Sequence, residues 1–547
     1  MRFLVFVTSL LVMTSCNNNS ASRDTGDQAD AFSADSLQSH ITALSGDDFM
    51  GRKPFTEGET KTIHYLEAQF RAVGLEPGNG ESYFQEVPMV KITTTAAPTM
   101  QVQSAKASFS LKGLDDYVIW TDKTDSLASF ANDEVIFAGY GVVAPEYNWN
   151  DYAGINVKGK IVLVLVNDPG FNAGDSTLFK GRTMTYYGRW TYKFEEAARH
   201  GAKGCLIVHN TAAAAYPFKV VQNNWNTSRL HLDERGKEKR YADIIGWVSS
   251  SAAQKLLNAA GMDSSLFAKA DKPGFKGVPL NIKLATSIQV KTEYNKSYNV
   301  IGKITGTKYP DETIIYTAHW DHLGIGAAND KGDTIYNGAL DNASATAGLL
   351  ELARAFKKSD SIPERTVVFL SVTAEEQGLW GSAYYAQDPV YPIKKTVANI
   401  NMDGLNWYGK TKDVIVVGQG QSALEDILKE EAARVGRYIS ADPHPEAGYY
   451  YRSDHFNFAK VGVPALYISA GTDVIGKESG YGQKQVDDYT RLNYHRPSDE
   501  YNAATWKLDG AIDDLRLLFR VGRRLSVGGQ WPQWKTGSEF KAIREAK

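Results

Sequence analysis

Cysteine is nearly absent from this chain, which has only Cys16 and Cys205 in 547 residues. Two cysteines cannot form a disulfide framework or a cysteine-rich zinc module. A bound metal must therefore use His, Asp and Glu side chains, a ligand set that suits a catalytic metal better than a structural one. The chain has 10 histidines, few enough to be considered individually.

An excess of positive charge is also missing, because 60 Lys and Arg residues are offset by 63 Asp and Glu residues. The net charge of −3 leaves no basic field of the kind that attracts nucleic acid, so we expect no nucleic-acid partner. The hydrophobic content of 43% is ordinary for a globular protein, and the length predicts two or more domains.

Long apolar runs are scarce, and the run FLVFVTSLLVM after Arg2 is too short to span a bilayer. Followed by Thr14, Ser15 and Cys16, it predicts a secretory signal over residues 1–16. The cysteine resembles a bacterial lipoprotein cleavage site, although a plain signal peptide is the alternative. We therefore expect an exported protein with a lipid anchor on Cys16, held to a bacterial membrane on the periplasmic or cell-surface side. Residues 17–32 are polar and predict a flexible tether.

Three regions of different character follow the tether. Residues 33–113 carry apolar residues at helical spacing and are interpreted as the N-terminal part of a catalytic domain. Residues 114–290 contain short β-rich runs such as KIVLVLV and GCLIVHN, which predict a separate, strand-dominated domain. In residues 291–547, apolar strands alternate with amphipathic helices, which predicts a three-layer α/β/α domain with a mixed central sheet.

Polar side chains follow three of the predicted strands in the last region. IIYTA runs into His319-Trp320-Asp321-His322, TVVFLSVTA ends at Glu375-Glu376, and ANINM ends at Asp403. Sheets of this class bind ligands at the carboxyl ends of their strands. Two loops, NGALDNASATAG with Asp341 and YHRPSDE with His495, add further candidates.

These residue types match the needs of metal-dependent hydrolysis. Zinc accepts imidazole and carboxylate ligands, and two neighbouring metals are most easily bridged by a carboxylate. A further carboxylate must take a proton from the attacking water and pass it to the leaving amine. The chain supplies two histidines, three candidate ligand carboxylates and one spare carboxylate.

The motifs TAHWDHLG, NGALDNAS, TAEEQGLWGS, NMDG and YHRPSDE occur in that order over roughly residues 317–500. Together they resemble the zinc aminopeptidase family that also contains glutamate carboxypeptidase and the glutaminyl cyclases. The resemblance implies peptide substrates and two Zn²⁺ ions per chain. It implies that Asp341 bridges the two metals, that His319 and Asp403 bind one of them, and that Glu376 and His495 bind the other. It also implies that Glu375 is the general base, that Asp321 holds a ligand imidazole, and that Tyr494 stabilises the oxyanion.

The same resemblance carries three smaller expectations. It implies a cis peptide bond between Asp341 and Asn342. Ala345 departs from the family, which often has glycine there, and this puts the local backbone shape in question. The segment FAGYGVVAPEYNWNDYAGINVKGKIVLV resembles a protease-associated domain, which implies a lid or substrate-recruiting module.

Substrate contacts are expected from a second group of residues, consisting of Arg452, Asp454, His455 and His322. The leading hypothesis is an aminopeptidase. The alternatives are a carboxypeptidase or N-acyl-dipeptidase, a glutaminyl cyclase, and a non-catalytic binding protein. A complete set of five ligands together with Glu375 favours two metals and hydrolysis.

Overall fold

The computed structural model describes residues 31–237 and 241–546. The predicted signal, the cleavage site at Cys16 and most of the predicted tether lie outside these residues. None of the helices within the described ranges is both long enough and apolar enough to cross a membrane.

Helices and strands alternate along most of the described chain. The helices are α1 (Ala34–Leu44), α2 (Glu57–Val73), α3 (Gly170–Ala173), α4 (Trp190–Arg199), α5 (Thr211–Ala214), α6 (Phe218–Gln222), α7 (Ser250–Ala260), α8 (Ser265–Ala270), α9 (Ala345–Lys358), α10 (Trp380–Gln387), α11 (Leu424–Arg434), α12 (His455–Lys460), α13 (Tyr481–Leu492), α14 (Leu508–Ser526) and α15 (Lys541–Glu545). The strands are β1 (Glu76–Pro77), β2 (Phe84–Ala96), β3 (Thr99–Ser104), β4 (Ser108–Lys112), β5 (Tyr117–Trp120), β6 (Leu127–Phe137), β7 (Val143–Ala144), β8 (Trp149–Asn150), β9 (Ile161–Leu165), β10 (Gly204–Val208), β11 (Ser228–Leu232), β12 (Ile244–Val248), β13 (Val278–Ile304), β14 (Tyr309–His319), β15 (Gly324–Ile325), β16 (Ile335–Tyr336), β17 (Arg365–Val372), β18 (Thr396–Asn401), β19 (Asp413–Val416), β20 (Tyr438–Ala441) and β21 (Ala465–Ala470).

A mixed sheet forms the centre of the C-terminal region. Strands β17, β14, β18 and β21 are successive parallel neighbours, while β13 pairs antiparallel with β17 and β19 pairs antiparallel with β21. Helices cover both faces because successive side chains of a strand point to opposite sides. Ile314 and Tyr316 pack in the core cluster with α1, α2, α9 and α14, whereas Ile315 packs in the cluster with α10 and α12. The predicted α/β class with a mixed central sheet is confirmed.

A second hydrophobic core lies in the region between the N-terminal helices and this sheet. It contains parallel strands β6, β9, β10 and β12, and its apolar members run from Val90 to Val290. We call residues 90–290 the inserted domain, since α1 and α2 before it pack on the catalytic core. The boundary predicted at residue 114 is too late, because β3 and β4 pair with the same sheet and bury Met100 and Leu111 in the second core.

The N-terminal edge of the described residues also differs from the prediction. Ala31 and Phe32, which were assigned to the tether, are 5% and 7% exposed. The ring of Phe32 packs edge-on against Phe519, with ring centroids 5.8 Å apart. An aromatic side chain with a buried partner belongs to the core rather than to a solvated linker.

The inserted domain contacts the catalytic domain in two places. In the first, Leu230 of β11 joins an apolar cluster with Ala374 and Trp380, which flank the Glu375-Glu376 turn. In the second, Lys460 pairs with Glu195 at 2.6 Å. The inserted domain is thereby fixed beside the edge of the sheet where the candidate site lies.

The carboxylate of Glu539, in the C-terminal segment, reinforces the second contact. It accepts hydrogen bonds from the Tyr451 hydroxyl at 2.7 Å and the Tyr186 backbone N–H at 3.2 Å, and it lies 3.2 Å from Lys180. Burial favours the neutral acid, but Lys180 and Tyr451 outweigh this effect and lower the pKa of Glu539. Glu539 therefore links the inserted domain to the catalytic domain as a buried anion.

Replacing Glu539 by Gln is expected to lower the free energy of unfolding by about 1–3 kcal/mol, because a charge-assisted set of bonds is lost. The stabilisation comes from a depressed carboxyl pKa, so it is present above the pKa of the unfolded chain and is lost as the pH falls through the lower folded value. Urea unfolding should show a difference between wild type and variant at neutral pH that shrinks below about pH 4. The matched control is Glu545→Gln, since Glu545 is 61% exposed. An equal loss of stability in both variants would contradict the assignment.

Candidate metal centre

The carboxyl ends of three parallel strands bring the candidate ligands together. Strand β14 ends at His319, β18 ends two residues before Asp403, and the turn after β17 carries Glu375 and Glu376. Because β17, β14 and β18 are parallel neighbours, their carboxyl ends meet at one edge of the sheet. Asp341 and His495 come to the same edge from loops, so all five predicted ligands lie in one cluster.

The two carboxylate oxygens of Asp341 face two different histidines. Oδ1 lies 3.3 Å from Nε2 of His319, and Oδ2 lies 3.2 Å from Nε2 of His495. Asp403 Oδ1 is 3.3 Å from the same nitrogen of His319, and Glu376 Oε2 is 3.1 Å from that of His495. The arrangement divides into two donor sets that share one carboxylate.

These separations fit a pair of metal sites. Two ligand atoms at ~2.0–2.1 Å from a tetrahedral zinc lie about 3.3 Å apart. Nε2 of His495 is buried and makes no hydrogen bond with any described residue, although two carboxylate oxygens lie near it. Because this nitrogen accepts no hydrogen bond within the part of the chain that the structure describes and lies 3.2 Å and 3.1 Å from two carboxylate oxygens, it can bind the same cation as those oxygens. The donor set therefore fits bound zinc, and Asp341 belongs to both groups of donors.

His322 also reaches the cluster, because its Nδ1 lies 2.6 Å from Glu376 Oε1. Within the described residues, His322, Asp341 and Glu376 form one group of potential ligands, and His319, Asp341 and Asp403 form another. However, 2.6 Å is a hydrogen-bond distance and is too short for two ligands of one tetrahedral ion. We therefore interpret His322 as the residue that orients Glu376, whose other oxygen faces His495.

Asp321 contacts the site differently from the predicted pattern. Nδ1 of His319 lies 3.1 Å from the main-chain carbonyl oxygen of Asp321, whereas the Asp321 carboxylate is 3.7 Å away. That carboxylate instead accepts the backbone N–H groups of Glu375 at 2.9 Å and Glu376 at 3.4 Å. Asp321 thus ties the His319 segment to the turn that carries the two glutamates.

Glu375 stands beside the cluster without joining either donor set. Its Oε2 is 4.0 Å from His319 Nε2, and its side chain is 11% exposed. Burial raises the pKa of Glu375 well above its usual value, His319 opposes this rise, and Asp403 adds to it. A carboxylate with a raised pKa that faces an open edge has the properties of a general base.

The charges of the cluster are strongly coupled. Burial opposes the charged imidazoles, but Glu375 and Asp403 raise the pKa of His319 well above its usual value, and Glu376 and Asp341 raise that of His495 to about 11. Burial likewise opposes the ionised Asp341, but contacts with both histidines hold its pKa well below the usual range. Since a cation and a proton compete for the same nitrogens, these carboxylates also attract a divalent ion.

The loop that carries Asp341 has little freedom. Gly338 has φ +56°, and a Cβ there would come within 2.2 Å of the Asp341 carbonyl oxygen and 2.5 Å of the His322 ring. The peptide bond between Asp341 and Asn342 is cis, which confirms the expectation from the resemblance. Ala345 has φ −76° and ψ −29°, ordinary helical values, so glycine is not required at this position.

Sequence reasoning did not single out Asp499, although it lies within the quoted YHRPSDE motif. Its carboxylate accepts the backbone N–H groups of Leu340 at 3.0 Å and Asp341 at 3.1 Å, and the Tyr489 hydroxyl at 3.0 Å. It is 2% exposed. Asp499 holds the bridging loop against the segment that carries His495.

Three of the four predicted substrate contacts, His322, Asp454 and His455, are fully buried. His322 holds Glu376, and Asp454 accepts a hydrogen bond from Ser382. His455 packs between the rings of Tyr450 and Tyr467. Polar residue types at the end of a loop predicted contact with substrate, but each of these side chains turns inward.

Arg452 and Tyr494 are the predicted contacts that keep solvent access. Arg452 is half-buried, and its Nη2 donates to the Ala447 carbonyl oxygen at 2.6 Å. Tyr494 is 46% exposed, and its ring stacks on His495 with centroids 3.8 Å apart. Both side chains therefore keep solvent access, and that of Tyr494 lies beside the ligand His495.

Gly338→Ala tests the shape of the bridging loop. We expect loss of metal binding and a large loss of stability, since a methyl group at this position meets backbone and ring atoms. The matched control is Gly332→Ala, because Gly332 also has positive φ (+84°) but has no atom within 4 Å of an added Cβ. The control should lose only about 1 kcal/mol of stability. Metal titration and thermal unfolding measure both effects, and normal metal binding by Gly338→Ala would contradict this account of the loop.

Comparison with known proteins gives matches of several kinds. The model of peptidase family M28 matches residues 299–519. The glutamate carboxypeptidase 2 homolog of Caenorhabditis elegans is 23% identical over 533 residues, which cover 86% of this chain and 64% of that protein. Aminopeptidase NAALADL1 of Mus musculus is 34% identical over 139 residues, which cover 24% of this chain and 17% of that protein.

A solved structure, the aminopeptidase from Aneurinibacillus sp. strain AM-1, is 19% identical with a TM-score of 0.49. The alignment covers 92% of this chain and 96% of the chain of that aminopeptidase. The chain spans less than two thirds of the length of each curated relative named above. The matched range 299–519 holds all five candidate ligands and Glu375. The resemblance predicted from the five motifs is thus confirmed, since residues 299–519 match the model of peptidase family M28.

Proposed function

We propose that this chain is a zinc-dependent exopeptidase that uses two Zn²⁺ ions and removes N-terminal residues from peptides. The observation that carries this proposal is the shared carboxylate of Asp341, with one oxygen toward His319 and the other toward His495. Aminopeptidase NAALADL1 supports the reaction class. A probable zinc metalloprotease of Pyrenophora tritici-repentis, 38% identical over 102 residues, supports the metal.

Each ion would have a defined set of ligands in this proposal. His319, Asp341 and Asp403 would hold one, and His495, Asp341 and Glu376 the other. Bound zinc would supply Lewis acidity, which polarises a peptide carbonyl and lowers the pKa of water. Mixed imidazole and carboxylate ligands favour zinc among the available metals.

The side chains of the chain itself move the proton and hold the substrate. Glu375 takes the proton of the attacking water and then donates it to the leaving amine, a role for which its raised pKa is suited. Asp321 keeps Glu375 in place through the backbone N–H of that residue. The ring of Tyr494 stacks on His495, and its hydroxyl would donate a hydrogen bond to the developing oxyanion.

The inserted domain acts in this proposal as a protease-associated lid that narrows access to the metals. It contacts the catalytic domain at Trp380 and at Lys460. A module held at these two places would admit a chain end more readily than the middle of a folded protein. The lipid anchor on Cys16 and the periplasmic or cell-surface location remain part of the proposal and rest on the N-terminal sequence alone.

A carboxypeptidase or N-acyl-dipeptidase activity is the second candidate, favoured by two guanidinium groups at the domain interface. The side chain of Arg189, in the inserted domain, has a buried Nε that makes no hydrogen bond with any described residue. Burial, with the nearby charge of Arg452, lowers the pKa of Arg189 to about 9. The Nε of Arg452 is likewise buried without a partner. Two half-buried cations without a carboxylate partner would be compensated by a substrate carboxylate.

Glu375→Gln tests the base directly. We expect the variant to bind both metals and to lose most of its activity, by a factor of about 10² or more, because a neutral amide cannot accept the proton. Glu376→Gln is the matched control, since the same change at the neighbouring position removes a ligand and should weaken metal binding. Metal titration and peptide hydrolysis together separate the two effects. Hydrolysis by Glu375→Gln at the wild-type rate would show that the base lies elsewhere.

The direction of cleavage is tested with two substrate classes, aminoacyl anilides and N-acyl-glutamate peptides. An aminopeptidase cleaves the aminoacyl anilides. Cleavage of only the N-acyl-glutamate peptides would favour the carboxypeptidase or N-acyl-dipeptidase activity instead. In that case Arg189→Gln and Arg452→Gln should each raise KM for the carboxylate substrate, with little change for its amide. Arg182→Gln is the control, as an exposed arginine of the same domain.

A further inference from the structure

A buried arginine that precedes the family-matched range lies behind the metal centre. Arg52 ends the 3-10 turn Asp47–Arg52 and is 1% exposed. Both Gly51 (φ +65°) and Arg52 (φ +49°) have left-handed backbone conformations. A non-glycine residue rarely adopts this conformation unless its surroundings hold it there. The left-handed backbone of this turn therefore positions the side chain of Arg52.

The guanidinium of Arg52 binds the main chain of the segments that carry the ligands. Its Nε donates to the Trp320 carbonyl oxygen at 2.8 Å. Its Nη1 donates to Asn337 at 2.6 Å and to Leu44 at 2.7 Å, and its Nη2 donates to Gly338 at 2.9 Å, all at carbonyl oxygens. One planar group thus connects the end of α1 with two separate segments of the site.

Two of the carbonyl groups that Arg52 binds belong to residues close in sequence to proposed ligands. Trp320 stands between the proposed ligand His319 and Asp321, which holds the Glu375-Glu376 turn. Gly338 is the tightly packed glycine that begins the loop to Asp341. Because the fork of Arg52 is rigid, the distance between the two segments is set by the side chain that joins them.

Further hydrogen bonds join the same parts. The backbone N–H of His322 donates to the carbonyl oxygen of Arg52 at 3.4 Å. The side-chain amide of Asn337 donates to the Ser45 carbonyl oxygen at 2.7 Å and to the Asp47 carboxylate at 2.8 Å. The N-terminal turn and the two segments are therefore held together from both sides.

Charge adds to this arrangement. Burial lowers the pKa of Arg52 to about 10, while the carboxylates of Asp341, Asp499, Asp321 and Glu376 raise it. Arg52 makes no ion pair with any described residue, so its positive charge acts on these carboxylates from behind the cluster. A cation in this place offsets the mutual repulsion of the acidic ligands.

We infer that Arg52 is a positioning residue of the metal centre, which sets the separation of the His319 and Asp341 segments so that both donor sets form. The inference rests on the proposed metal-dependent function, and it adds a residue that touches neither metal nor substrate. Lysine cannot replace arginine here, because one ammonium group cannot reach carbonyl oxygens on three segments with the same geometry. The positioning residue thus lies in a turn that precedes both the inserted domain and the family-matched range.

The test compares Arg52→Lys with Arg365→Lys in the full chain. Arg365 is also 1% exposed, and its Nη1 donates to the carbonyl oxygens of Leu525 and Gln530, both at 2.8 Å. Its Nε also pairs with Glu312 at 2.6 Å. Arg365 is therefore matched to Arg52 in burial and in its hydrogen bonds to carbonyl oxygens, and it belongs to a different part of the fold. Zinc affinity is measured by competition with a chromophoric chelator, and stability by urea unfolding in the presence of EDTA.

We expect both variants to lose stability, but only Arg52→Lys should bind zinc about 10- to 100-fold more weakly, as found when groups that orient ligands are altered. With saturating zinc, kcat of Arg52→Lys should fall while KM changes little. Equal zinc affinity in Arg52→Lys and wild type would overturn the inference. Failure of wild type to bind zinc would instead overturn the proposed function.

A second variant covers the case in which Arg52→Lys does not fold. Asn337→Ala removes the two amide hydrogen bonds to Ser45 and Asp47 but leaves Arg52 in place. It loosens the same segment by a milder change, so a smaller loss of zinc affinity in the same direction is expected. Wild-type zinc affinity in Asn337→Ala would then count against the positioning role.

Discussion

The carboxylate of Asp341 must place one oxygen near His319 and the other near His495, and this double contact limits the rest of the structure. The two histidines come from distant parts of the chain, one from a strand end and one from a loop near the C-terminus. A small shift of the Asp341 backbone would break one of the two donor sets. The loop is therefore held from several directions, by Gly338 from within, by Asp499 from the His495 side and by Arg52 from behind.

The negative charges of the buried carboxylates explain why several cationic groups surround the cluster. Asp341, Glu376, Asp403 and Glu375 are largely withdrawn from water, and buried like charges repel one another. Imidazoles face the three ligand carboxylates, and the guanidinium of Arg52 lies behind them. Glu375 lies farther from His319 than the ligand carboxylates, and its pKa moves upward rather than downward. Two adjacent glutamates thus acquire opposite properties because His322 and His495 contact only one of them.

The sequence predicted those parts of the site that follow from strand order. His319, Asp403 and the Glu375-Glu376 pair come directly after apolar strands, and parallel neighbours bring such ends together. Resemblance to a family supplied Asp341 and His495, which lie on loops that no periodicity places. Arg52 could not have been found in this way, because its partners are main-chain atoms up to 286 positions away and carry no side-chain signature.

Burial accounts for most of the remaining differences. Asp454 and His455 are polar residues next to a loop, yet the structure buries both, so residue type alone was a poor guide to exposure. The boundary of the inserted domain was placed too late because β3 and β4 are amphipathic and short. Their assignment depends on the pairing of β3 with β13, which lies far along the chain, and of β4 with β3. The α/β core was easier to predict, since its buried strands are continuous apolar runs.

The long strands β2 and β13 carry the chain into and out of the inserted domain as one antiparallel ribbon, in which Val90 lies opposite Tyr294. Partners in such a ladder are about 5 Å apart, a gap that a two-residue turn can close. A gene encoding this fold could therefore gain or lose the whole module at one point without rerouting any catalytic strand. The cost of losing it would fall on Ala374 and Trp380, whose apolar surface, next to the catalytic glutamate, would become exposed to water.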